Sequence, residues 1–153
     1  MKNIAAIIAI IATAAFAGNM INIGLSYASY WQSLDPIAFM QDFKAKFIPY
    51  LLPPTAATLL PALIATALSV FFNWKSPATR SLWLIALFGV LLTIVITLIY
   101  HLPTNLAFID MKYSAAEATS KLQIWMLLHW VRVIVAIAAA VFAILGFQKS
   151  SNK

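Results

Sequence analysis

The chain has 153 residues, room for a single domain. Apolar side chains make up 63% of it and charged ones 9%, against about 45–50% and about 25% in soluble domains. A globule of this size cannot bury so much apolar surface, so disorder, a coiled coil, a disulfide scaffold and a soluble enzyme are excluded, and an integral membrane protein is left. Ten Lys and Arg stand against four Asp and Glu, a formal charge of +6 with no cysteine. The basic residues are scattered over loops and ends without an aromatic-interleaved stripe. They therefore read as topology signals and lipid-headgroup contacts, and no nucleic-acid partner is expected. The absence of Cys removes thiol catalysis and thiolate metal sites.

Four stretches are long enough to span: 4–32, 47–74, 81–108, and 122–148 with Arg132 as the one charge inside it. Backbone groups in lipid must be satisfied within their own segment, so each is a helix. The fold class is all-α, an integral membrane four-helix bundle with spans near 4–29, 54–73, 81–102 and 122–146. Met1-Lys2-Asn3, the apolar run after it and Ala15-Phe16-Ala17 also resemble a secretory signal. The uncharged run continues to Gln32, too long for a signal core, and a retained helix is the expectation.

Asp35-Pro36 then opens a short amphipathic helix, with Ile37, Met40, Phe43 and Phe47 on its apolar face. Two readings stand: a helix lying in the membrane interface, or one packed on the bundle. The second span is expected to begin near Pro54, with a kink at Pro61. The third ends near His101-Leu102-Pro103. Ser114-Ala-Ala-Glu117 fits a capping box that opens the fourth.

Lys2, Lys75, Arg80, Lys149 and Lys153 fall on one side of the predicted membrane. Lys44, Lys46, Lys112 and Lys121 fall on the other, with all four acids. The short basic loop between the second and third spans decides the orientation: both termini are expected in the cytoplasm of a bacterial inner membrane.

Trp125, His129 and Arg132 share one helical stripe, spanning about 60°. A guanidinium near mid-bilayer costs at least about 2.5–3.5 kcal/mol, so it must face the bundle. Asn19, Asn22, Ser26 and Tyr30 form a second stripe on the first helix, expected to face the first in the outer half, with Asn105 at the same level. No Asp or Glu lies inside a span, so Arg132 must find carbonyls, amides, hydroxyls, water or a ligand. Asp110 or Glu117 folding inward as a lid stays open. A His101–His129 metal site completed by one of these acids is conceivable on donor type alone, and no metal is expected.

Pro103-Thr104-Asn105-Leu106, followed by Trp125, His129 and Arg132, resembles the Pro-x-Asn … Trp-x-x-x-His-x-x-Arg pattern of the anthrone-oxygenase-like membrane family. Fungal members of that family oxidise anthrones to anthraquinones with O2, without metal or flavin, so the resemblance implies a cofactor-free, O2-dependent oxidation of a lipophilic aromatic or phenolic substrate, and it carries over Asn105, Trp125, His129 and Arg132 but not the substrate itself. In that chemistry His129 would serve as base and Arg132 as anion stabiliser, Trp125 would stack on a flat ring, and Asn19, Asn22 or Asn105 would bond a carbonyl. The partners expected are the bilayer and a lipophilic small molecule, with the oligomeric state open. Two other readings stand beside this one. The first is a non-catalytic binder of lipid or quinone. The second is an accessory subunit docking through a small-residue face such as residues 136–140.

Overall fold

The computed structural model describes residues 1–151. Lys153, counted above among the inward basic residues, lies outside them. Four long apolar helices carry the fold: α1 (Lys2–Gln32), α2 (Pro36–Phe72), α3 (Pro77–Ile109) and α4 (Ala115–Ser151). They form an up-and-down bundle in which α1 packs on α2 and α4, and α3 packs on α2 and α4. Small residues let the helices approach closely: Ala5, Ala6, Ala9 and Ala12 on α1, and Ala136, Ala139 and Ala143 on α4, are buried. At Gly89 a side-chain carbon would come within 2.9 Å of the Ala139 methyl. Ile4, Ile11, Ile64, Phe88, Leu127 and Ile134 point outward instead, as a bilayer-facing surface requires. Ala136, Ala139 and Ala140 are buried inside the bundle, so residues 136–140 do not form the exposed docking face considered from sequence.

Each of α1, α2 and α3 contains one π-helical segment: Ile23–Ala28, Phe47–Leu51 and Thr97–His101. Two of them precede prolines. Pro53 and Pro54 follow the segment in α2, and Pro103 follows the one in α3. A proline ring clashes with the carbonyl four residues back and offers no N–H. Widening the preceding turn relieves that clash and lets the helix continue. This corrects two expectations: α2 does not begin near Pro54, and α3 does not end at Pro103. In α1 no proline is involved, and the Ser29 hydroxyl donates to the Gly24 carbonyl across the widened turn at 3.1 Å.

The amphipathic segment is therefore the N-terminal end of α2. Its Asp35 caps the first turn by accepting from the Ile37 and Ala38 amides. Phe39, Met40 and Phe43 are buried while Ile37 is exposed, so the segment packs on the bundle rather than lying flat in the interface. It closes the end of the bundle away from the termini through an aromatic cluster, in which the ring centroid of Trp31 lies 4.8 Å from that of Phe43 and that of Phe39 4.8 Å from that of Phe108. The Trp31 indole donates to Asp42 at 2.8 Å. Helix α3 ends in a Schellman arrangement: the Met111 amide bonds Phe108 and the Lys112 amide bonds Ala107. Met111 takes the left-handed conformation there, with φ 55°. The capping box forms as read, with the Ser114 amide donating to Glu117 at 2.9 Å and the Glu117 amide to Ser114 at 3.4 Å.

In the half of the bundle nearer the termini, the buried hydroxyls of Thr13, Thr66 and Ser69 bond carbonyls of their own helices. Among the described residues, then, no polar path crosses the bundle.

Candidate functional site

Trp125, His129 and Arg132 line one face of α4, and all three are buried. Their partners come from α3 and α1, and one of them, Thr97, stands on the widened turn of α3. One Arg132 nitrogen donates to the Thr97 hydroxyl at 2.7 Å, and a second meets His129 Nδ1 at 2.9 Å. Arginine has only donors, so Nδ1 must be the acceptor. Nε2 therefore carries the ring hydrogen and donates it to the Met20 carbonyl at 2.8 Å. Both ring nitrogens of His129 are thus occupied, and the base role expected of it needs one of those bonds broken first. The Trp125 ring stacks on the imidazole, with centroids 4.9 Å apart and planes 4° from parallel. Its indole N–H donates to the Asn105 side-chain oxygen at 2.8 Å.

These groups border a cavity of about 120 Å³ lined by Met20, Ile23, Phe47, Leu51, Leu52, Thr55, Thr97, Leu102, Asn105, Trp125 and Arg132. Leu52 and Leu102 are 47% and 40% exposed on the lipid-facing surface, so its mouth lies at the side of the bundle. What remains unspent on its polar wall is donor in character. Asn105 has its oxygen taken by Trp125 and keeps its amide N–H groups. The Thr97 hydroxyl hydrogen goes to the Thr93 carbonyl at 2.7 Å, and Arg132 Nε has no protein partner. A ligand filling this space must bring a hydrogen-bond acceptor, and one that carries negative charge matches Arg132 best.

The structure thus brings together Asn105, Trp125, His129 and Arg132. The two stripes do not face each other as expected. Asn19 reaches the cavity wall only through Thr55, to which its amide donates at 2.9 Å. Asn22 and Ser26 are exposed and bonded to one another. Tyr30 is exposed beneath the Lys46 ammonium, 4.9 Å from its ring centroid. The helix-one face at the site is apolar, Met20, Ile23 and Gly24, and contributes a carbonyl rather than a side chain. At Gly24 an added methyl would meet Trp130 at 3.1 Å and the His129 ring at 3.2 Å. The acids stay in the α3–α4 connection and the first turn of α4: Asp110 pairs with Lys112 and Glu117 with Ser114, so neither is a lid. Among the described residues, no three His, Asp or Glu side chains come together.

The sequence reading missed the roles of Thr97 and the Met20 carbonyl, and it placed His101 only in the neighbourhood. A signal for Thr97 and His101 existed: Thr97, His101 and Asn105 recur at i, i+4, i+8 on one helical face. No sequence pattern announces a backbone carbonyl as a partner.

A family model described as anthrone oxygenase matches residues 49–142, more than half of the chain and all four of the residues gathered here. No curated protein and no solved structure matches the chain.

Proposed function

Because the chain belongs to the anthrone oxygenase family, we propose that it oxidises a lipophilic, anthrone-like or related phenolic substrate with O2, without a cofactor, in the cavity beside Arg132. The observation that carries this reading is a buried guanidinium with no carboxylate partner, bordering an apolar cavity whose mouth faces lipid. Intramembrane charge of this kind is costly and marks a functional site by default.

The chemistry suits those groups. An anthrone carries a CH2 flanked by two aromatic rings and conjugated to a carbonyl. When a base takes one proton, the electron pair delocalises onto the oxygen, and Arg132 and the Asn105 amide stabilise that anion. The anion is electron-rich enough to reduce O2 directly. Carbon–oxygen bond formation gives a peroxide, and loss of the second C–H proton with cleavage of O–O yields the ketone and water. The sum is CH2 + O2 → C=O + H2O. His129 acts here by position: it accepts from Arg132 and is anchored on Met20, which holds the guanidinium beside the cavity. Trp125 forms a flat apolar wall. Placed with both termini in the cytoplasm, the cavity lies toward the outer leaflet, and substrate reaches it from the bilayer.

The test is turnover by purified protein in lipid nanodiscs, following anthraquinone formation from anthrone in air. Wild-type protein should exceed the spontaneous rate, and Arg132→Met should lose roughly 100- to 1,000-fold of that enhancement, the usual effect of removing one oxyanion donor. Saturable binding with no acceleration by wild-type protein would instead mark a lipid- or quinone-binding protein.

A further inference from the structure

One buried titratable group is left unused by the account above. His101 is 1% exposed, and neither of its ring nitrogens has a hydrogen-bond partner. It lies on the widened turn of α3, between Thr97 and Asn105 on the same face, and both of those residues line the cavity. Its ring centroid is 5.1 Å from that of Trp125, which also lines the cavity, and 6.4 Å from that of His129. Among the described residues, the charged or titratable groups facing it are Arg132 and His129, with the Tyr100 ring centroid 5.9 Å away. The carbonyls of Ile96 and Trp125 lie nearby without forming bonds of normal geometry. An imidazole buried with both nitrogens unspent forgoes the bonds a polar group normally makes on burial, whereas His129 has spent both of its own.

We propose that His101, rather than His129, takes the proton that the substrate C–H loses. The inference rests on the oxidation reading above and names its base. A substrate ring seated between Thr97 and Asn105 meets the edge of Trp125. Its displacement of that ring, or rotation of the imidazole about Cα–Cβ, brings the unprotonated nitrogen of His101 to the substrate carbon. The C–H bond breaks, an N–H bond forms on His101, and the electron pair passes to the substrate oxygen beside Arg132. His101 then protonates the peroxide formed with O2. It takes the second C–H proton as O–O cleaves, and hands that proton to the departing hydroxide as water. His129 cannot serve without releasing Arg132, which would remove the anion's counter-charge at the moment it forms.

Proton transfer is separable from oxidation. Under nitrogen in D2O, the CH2 of anthrone exchanges for deuterium wherever a base removes its proton, and mass spectrometry reads the incorporation. Wild-type protein in nanodiscs should accelerate exchange above the buffer rate. His101→Gln should lose about 100-fold or more of that acceleration at saturating substrate, in the range of a general base, while His129→Gln, which loosens Arg132, should show its loss chiefly as weakened substrate affinity. Wild-type exchange by His101→Gln would overturn the assignment, even if aerobic turnover upholds the oxidation reading. Failure of both exchange and turnover in wild-type protein would instead remove the oxidation reading itself. Should His101→Gln lose helical circular dichroism, 15N-histidine spectra of the wild-type protein decide. Anthrone added under nitrogen should move the His101 resonances to those of an imidazolium, and movement of His129 alone would contradict the proposal.

Discussion

Arg132 shows how a charge is held in lipid without a countercharge. Two of its nitrogens are bonded to a neutral hydroxyl and a neutral imidazole, and Nε is left without a protein partner. Desolvation of the guanidinium is thus only partly offset, and the remaining potential faces the cavity. Trp125 belongs to the same network through Asn105. Replacing it by Phe keeps a ring beside His129 but leaves the Asn105 oxygen buried without a donor. Trp125→Phe should destabilise the protein by about 1–3 kcal/mol, and Trp125→Phe with Asn105→Leu should recover part of that loss. Thermal unfolding in one fixed detergent measures both, and an unchanged melting temperature for the single variant would contradict the network. At this scale the sequence was informative where side chains meet side chains. The Trp125, His129 and Arg132 stripe and Asn105 were readable because a charge and an imidazole on a membrane helix must turn inward. Asn22 and Tyr30 were misplaced because a polar stripe toward the C-terminal end of a helix can be satisfied by itself, by a neighbouring lysine or by solvent.

At the scale of elements, the widened turns do the positioning. The segment in α3 aims Thr97 at Arg132 and His101 into the core, the one in α2 supplies Phe47 and Leu51 to the cavity, and the one in α1 brings Gly24 against the His129 ring. Such turns are frequent at functional sites. The prolines after two of them were visible in sequence, yet they read as helix ends, because the rule that breaks a soluble helix is relaxed where neighbouring helices re-satisfy the freed backbone groups. Gly24→Ala should push the His129 ring and Trp130 apart, lowering binding of an acceptor ligand several-fold while costing about 1–3 kcal/mol of stability. Unaltered affinity would show that the contact does not position the site. The α3–α4 connection carries a pH dependence of known sign. The Lys112 ammonium, hydrogen-bonded to Asp110, holds that exposed carboxyl below its ordinary value of 3.8. A depressed carboxyl stabilises above the unfolded value, and that contribution is lost as pH falls through the folded one. Amide exchange around residues 110–114 should therefore be unaffected between pH 7 and 5 beyond the intrinsic chemistry, with protection falling below about pH 4. Asp110→Asn should remove that step at the Met111 and Lys112 amides, whereas Ser114, whose amide donates to the likewise depressed Glu117 carboxyl, should keep its own.

For the whole molecule, composition settled most of the fold. Four uncharged stretches too long and too apolar for a soluble core became four helices, and the capping box marked where the last begins. Helix lengths were harder to read, since the N-terminal end of α2 and the C-terminal end of α3 carry charges and prolines that resemble loops but pack through Phe39, Phe43 and Phe108. Orientation remains a matter of charge distribution, and the native chain has no cysteine, so labelling is clean. With both termini cytoplasmic, a Cys at position 112 should react with an impermeant maleimide in intact cells, whereas a Cys at position 149 should react only after permeabilisation. The reverse pattern would invert the bundle.

The account turns on the guanidinium of Arg132 receiving the acceptor end of a lipophilic ligand from the bilayer. Equilibrium binding of a hydroxyanthraquinone to the protein in nanodiscs tests this without requiring turnover. Wild-type protein should bind one molecule saturably, and Arg132→Met should weaken that binding at least tenfold with the fold intact. Equal affinity in the two proteins would contradict it.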